Sequence, residues 1–255
     1  MLIRCLKAEL LKCRRSPVWI AFLILPIFPA FLGTFNYLGN LGVLQSEWYS
    51  LWSQHTLFSA CFFMPAQFGV FCAWQWRLEH TGHNWNTAMT APVPPRDLFL
   101  AKWILDVGVA ALAQLCIGVL FIVSGLLAGL SLSNLPALWH WLLFGAIGGV
   151  TVCTVQLFLS LVIRSFAIPV AIGLLGGIGG MIMMAEGFGL CFPYSLLALG
   201  MRANNPQMEL PVGSFLLSCV AFILLFSGLA ITWLQKRDVA AAQRFSLPSG
   251  PWPLP

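Results

Sequence analysis

Apolar residues gather along this chain into uncharged runs of about 20 positions, each long enough to cross a hydrocarbon core of roughly 30 Å as a helix. The pattern predicts six spans: Pro17–Leu38, Thr56–Trp76, Trp103–Leu130, Trp141–Ile163, Phe166–Met184 and Gly213–Leu234. The short alternating segments of a membrane barrel are absent. The third run is long enough to tilt or overhang. Trp19, Trp74, Trp76, Trp103, Trp139, Trp141 and Trp233 fall near span ends, where amphipathic rings favour the headgroup zone.

Between the runs, the polar segments have distinct characters. Residues 1–16 read as an amphipathic interface helix, with Leu2, Leu6, Leu10 and Cys13 on one face and Arg4, Lys7, Arg14 and Arg15 on the rest. Such a helix can lie among lipid headgroups, brace a cytoplasmic partner, or do both. Ser16 and Pro17 then restart the chain as the first span. Residues 17–234 form the transmembrane domain. Within it, the polar loop 77–102 contains Trp85, Ala88, Met89 and Pro92 at helical spacing, an apolar stripe for the membrane surface or a partner's groove. Pro92, Pro94 and Pro95 break that helix, and Asp97 is placed to cap the next. Residues 185–212 read as a hairpin that is re-entrant or lies in the interface, because Phe188–Gly200 is apolar but too short and too broken by Pro193 to span. Residues 235–255 form a tail.

Composition reinforces the class. Charged residues make up 8% of the 255 positions, against roughly 25% in soluble domains. Of the 13 lysines and arginines, only Arg202 falls outside the N-terminal segment, the second and fourth loops with their edges, and the tail. The positive-inside rule therefore places both termini in the cytoplasm. Glu47, Glu186 and Glu209 fall on the outer side with Arg202.

Candidate chemistry is sparse. The 8 cysteines show no C-x-x-C pair, so neither a disulfide framework nor a zinc site is expected. Glu79, His80 and His83 lack the H-E-x-x-H spacing that sets two ligands on one helix face. No phosphate-binding loop occurs and the tail is too short for an ATPase, so any ATP chemistry is expected from another chain. Asp106, four residues after Lys102, is expected to form a local i,i+4 pair with it. Gln156 is polar mid-span and able to bond across helices. The pairs Gly125/Gly129, Gly145/Gly149 and Gly176/Gly180 allow close helix approach, either within the chain or between subunits.

Six spans with both ends inside, the basic E-x-x-K start (Glu9, Lys12), and a first cytoplasmic loop carrying E…W…P…R…K resemble an ABC-2 type permease, type V exporter-like in fold. More narrowly, Ser50–Lys102 resembles the lantibiotic-immunity permeases of epidermin/mutacin-type exporters, through Trp52, Pro65, Glu79, Asn84, Pro92 and Lys102. The resemblance implies an all-α polytopic membrane protein in a bacterial plasma membrane. Its partners would be a second permease, identical or sister, and two soluble ATPases that bind ATP and Mg. This chain itself would bind no cofactor and no nucleic acid. Glu79, His83, Trp85, Met89 and Arg96 would couple to the ATPase, braced by Arg4, Lys7, Glu9 and Lys12. The cargo would be a cationic antimicrobial peptide expelled outward, with Gln156, Glu186, Phe188 and Tyr194 as candidates for its path. Another cargo (a bacitracin-like drug, a lipid-linked glycan or an ion) and a non-ABC carrier are the alternatives.

Overall fold

The computed structural model describes residues 1–14, 16–81 and 93–245, with side chains as far as Lys236. Among the described residues all regular structure is helical. Among the described residues six stretches are long and apolar enough to cross a membrane: Val18–Gly39, Glu47–His80, Pro95–Leu127, Leu138–Val162, Ala167–Ala185 and Val212–Lys236. Helix α1 (Leu2–Cys13) precedes them. The first span is two helices, α2 (Val18–Ile24) and α3 (Ile27–Gly39), because Pro26 has no N–H to continue the hydrogen-bond ladder. Pro29 falls in the first turn of α3, where a missing N–H costs no bond.

The second span starts at Glu47 rather than Thr56. It runs as α4 (Glu47–Phe58), a π turn (Ser59–Phe63) and α5 (Met64–His80). Hydropathy missed its first part because that part is polar and still interior. Trp48 and Trp52 are fully buried and donate to the carbonyls of Ser131 (2.8 Å) and Met201 (2.9 Å). His55 meets Thr34 at 3.0 Å, and Gln54 accepts from Asn36 at 2.6 Å. Neighbouring helices satisfy these groups, so the segment need not be apolar. The π turn lies immediately ahead of Pro65, which has no N–H to offer the Cys61 carbonyl.

The third span, α6 (Pro95–Leu127), also starts early. Its N-cap is Pro94, so the expected cap by Asp97 is not formed. Asp97 lies in the first turn, 3.8 Å from the N-terminal ammonium. Then follow α7 (Leu138–Val162), α8 (Ala167–Ala185), a 3-10 turn (Gly189–Cys191), α9 (Ser195–Gly200) and α10 (Val212–Phe245), which carries the helix into the tail.

Burial separates the centre from the rim. The second span is 67% buried over its most apolar window and the sixth only 17%. Every residue of α9 is buried, so this part of the hairpin is packed on protein, which suits either a re-entrant or an interfacial position. Small residues make this packing possible. A Cβ on Gly148 of α7 would lie 2.8 Å from Leu197 Cα, and one on Gly180 of α8 would lie 2.8 Å from Ser195 N. A Cβ on Gly177 would collide with the Cys61 carbonyl that Pro65 leaves free. These glycines therefore serve contacts within the chain. The tryptophans divide as well: Trp139 is exposed, but Trp76 and Trp141 turn inward, Trp141 stacking on Trp52 at 5.0 Å.

Candidate functional site

Charges cluster inside the end of the bundle where α1 lies. Lys12 Nζ is 2.6 Å from Glu9 Oε1 and 2.8 Å from Glu79 Oε1. Lys102 Nζ is 3.0 Å from Glu9 Oε2 and 2.9 Å from Glu79 Oε1, donates to the Gln75 carbonyl at 3.0 Å, and sits 4.8 Å from the Trp76 ring centre. Lys102 is fully buried, and Glu9 and Glu79 nearly so. Two carboxylates and two ammoniums thus compensate one another where an unpaired charge would be very costly.

Local structure sets this geometry. The buried face of α1 is Cys5, Glu9 and Cys13, one residue per turn. It is turned slightly from the expected face: Cys13 is common to both and Leu2 and Leu6 are half-buried, but Leu10 is exposed and Cys5 and Glu9 are buried instead. Lys12 lies three residues after Glu9 and reaches the same carboxylate. Glu79 lies in the last turn of α5, Gln75 one turn earlier, and Lys102 stands two turns into α6. Burial lowers the Lys12 pKa, but the charge and hydrogen bonds of Glu79, with those of Glu9, outweigh it and hold the ammonium above its ordinary value. Burial pushes the Cys13 thiol up to about 11.

The expected Lys102–Asp106 pair gives way to these longer-range partners. Asp106 accepts from the Gln75 amide and, at 3.7 Å, from the Cys72 thiol, which also faces the Cys153 carbonyl. The polar network therefore continues one turn deeper and ties α5 and α6 to α7. At the same end, Trp76 donates to the Leu157 carbonyl (3.0 Å) and Trp103 to Thr154 (2.9 Å).

The residues expected to act together are only partly united. Glu9, Lys12 and Glu79 share the network, and the basic groups that Glu79 meets belong to its own chain. Arg4 and Lys7 are exposed on α1, and Arg96 is exposed in the first turn of α6. His83, Trp85 and Met89 lie outside the described residues. Gln156 and Tyr194 meet: the Gln156 amide nitrogen donates to the Pro169 carbonyl (3.1 Å), while its oxygen accepts from Gly173 N–H (3.0 Å) and the Tyr194 hydroxyl (2.9 Å). Glu186 and Phe188 are exposed at the end of α8. Lys102, Gln75 and Asp106 were missed as site residues. The available signal was the coincidence of Glu79, Lys102 and Asp106 in long helices of a chain that spends charge rarely. Among the described residues no group of three or more His, Cys, Asp or Glu side chains gathers to hold a metal.

Among the described residues, six apolar spans, a short buried helix between the last two and a charge-locked N-terminal helix define a polytopic helical membrane protein. Residues 5–180 match the family model described as ABC-2 family transporter protein, and the chain belongs to that family. It is the membrane permease subunit of an ABC transporter, a transport component rather than an enzyme, and works with a separate ATPase chain. No curated protein and no solved structure matches it.

Proposed function

We propose that this chain is the permease of an exporter that expels cationic antimicrobial peptides from a bacterial plasma membrane, with both termini cytoplasmic. The observation that carries the mechanism is the buried network joining Glu9, Lys12, Glu79 and Lys102. The loop 77–102 leaves α5 at Glu79 and enters α6 before Lys102. Both of its flanks are thereby fastened to each other and to α1. An ATPase seated on that loop, through His83, Trp85, Met89 and Arg96, would move α1, α5 and α6 as one body. Arg4 and Lys7, exposed on α1, would brace the same partner or the headgroups.

Two ATPase subunits, which carry the ATP and Mg, and a second permease complete the machine. The second permease is a copy of this chain or a sister. Helix α9 and the Gln156–Tyr194 contact stand beside the proposed cargo route, with Glu186 and Phe188 at its outer mouth. The resemblance of Ser50–Lys102 to lantibiotic-immunity permeases supports the peptide cargo.

Purification in mild detergent from the native host, followed by mass spectrometry, tests the partners: a stoichiometric ATPase is expected. In the reconstituted complex, Trp85→Ala with Met89→Ala should leave ATP hydrolysis running while transport stops. Normal transport by that variant rejects the coupling assignment. Growth of cells bearing the complex against a lantibiotic, compared with bacitracin, tests the cargo.

A further inference from the structure

The opposite end of the bundle holds a cavity of about 400 Å³ where the starts of α4 and α7 meet the end of α9. Its lining includes Tyr49, His140, Trp141, Arg202, Pro206 and Gln207. Arg202 is the one lysine or arginine outside the segments that gather near the ion network and the C-terminal stretch. Among the described residues its guanidinium makes no hydrogen bond or ion pair, and the Tyr49 hydroxyl, the His140 ring and the Gln207 amide have no hydrogen-bond partner either. Tyr49 and Gln207 are exposed and Arg202 and His140 half-buried, so the mouth of the cavity presents these donors and one cation to a ligand from outside.

The backbone adds an independent observation. Arg202 has φ 51°, the left-handed conformation that closes a helix and that glycine adopts freely but arginine does not. Its N–H and that of Ala203 bond back to the carbonyls of Leu199 (3.0 Å) and Ala198 (2.8 Å), ending α9. The backbone asks for glycine here, so the arginine is explained by its side chain. The site's depth is set by Trp139, 61% exposed beside His140, and by the first turns of two spans, the level of lipid headgroups.

We infer that this cavity binds the phosphate of an anionic lipid headgroup, with the Arg202 fork gripping its two non-bridging oxygens and Tyr49, His140 and Gln207 donating to the remaining lone pairs of those oxygens and to the headgroup hydroxyls. Guanidinium and phosphate match in charge and in bidentate geometry. The site is separate from the coupling end and does not depend on the cargo.

Native mass spectrometry of the purified full-length protein, titrated with phosphatidylglycerol, phosphatidylcholine or inorganic phosphate, tests the assignment. Wild type should bind phosphatidylglycerol in preference to phosphatidylcholine. Arg202→Gly, which suits the backbone and should not lower the melting temperature, should bind it about tenfold more weakly. Tyr49→Phe with Gln207→Leu, which leaves the turn untouched, should weaken it severalfold. Equal phosphatidylglycerol binding by wild type and Arg202→Gly overturns the site. Phosphatidylcholine binding as tight as phosphatidylglycerol overturns the anionic headgroup. Binding of inorganic phosphate without phosphatidylglycerol binding assigns a soluble ligand and overturns the lipid.

Discussion

Lys102 of α6 and Glu9 of α1 are 93 residues apart in the sequence and 3.0 Å apart in space. Their contact makes a helix that could have floated on the membrane surface part of the folded core. It also explains how so apolar a chain accommodates charge at depth: the charges come as a compensated set, shared between elements that flank one loop.

Breaking that set from one side should be severe. Lys102→Met leaves Glu9 and Glu79 with Lys12 alone, and the loss of one partner of a buried ion pair costs about 3–5 kcal/mol. Neutralising one carboxylate as well, with Glu79→Gln, should restore much of that stability, because Lys12 and Glu9, 2.6 Å apart, then remain as a balanced pair. Thermal unfolding in detergent measures both. A Lys102→Met protein as stable as wild type would remove the network from the account of the fold.

The pH dependence of α1 docking follows from Lys12. Its folded pKa is raised above the unfolded value, so its contribution is complete below the ordinary lysine pKa and is lost as pH rises through the higher folded value. Hydrogen exchange of residues 2–13 should therefore stay slow from neutral pH to about pH 9, after correction for intrinsic rates, and quicken only in strongly alkaline solution. Lys12→Gln should diminish the alkaline step, and what remains should belong to the Cys13 thiol, whose pKa is pushed up to about 11. A step near neutral pH would point to a different titrating group.

Much of the fold was legible because membrane spans advertise themselves by length and apolarity. What escaped was whatever lay inside a bundle of several helices. The polar stretch from Glu47 to His55 reads as a loop, yet it is interior because Thr34, Asn36, Ser131 and Met201 satisfy it. The buried face of α1 could not be chosen by hydrophobicity, since it carries a carboxylate that only Lys102 on a distant helix makes tolerable. Lys102 and Asp106 look like a local pair at four-residue spacing. Their true partners come from α1 and α5, which no one-dimensional periodicity can show.

The buried helix α9 should be sensitive to one methyl group at its contact with α7. Gly148→Ala would press a Cβ into the Leu196–Leu197 backbone, a contact that cannot yield by a side-chain rotation, and about 1–3 kcal/mol of destabilisation is expected. Gly213→Ala, with nothing within 4 Å of the new atom, should change stability by less than about 0.5 kcal/mol. Paired melting curves make the comparison. Equal effects at the two positions would contradict the packing of α9 on α7.

Cysteine accessibility tests packing and orientation together. Cys191 is exposed on the turn before α9, Cys116 is partly covered, and the remaining six are buried. A membrane-impermeant maleimide added to intact cells should label the wild type once, at Cys191, and Cys191→Ser should remove nearly all of that signal. The position of this residue, between the fifth span and α9, makes the labelling a report on sidedness. Labelling only after permeabilisation would invert the topology drawn from the basic residues and put the loop 77–102 on the wrong side for an ATPase. Rapid labelling of Cys5 or Cys13 in permeabilised cells would show instead that α1 is not held against α6, and the charged network would then lose its anchor.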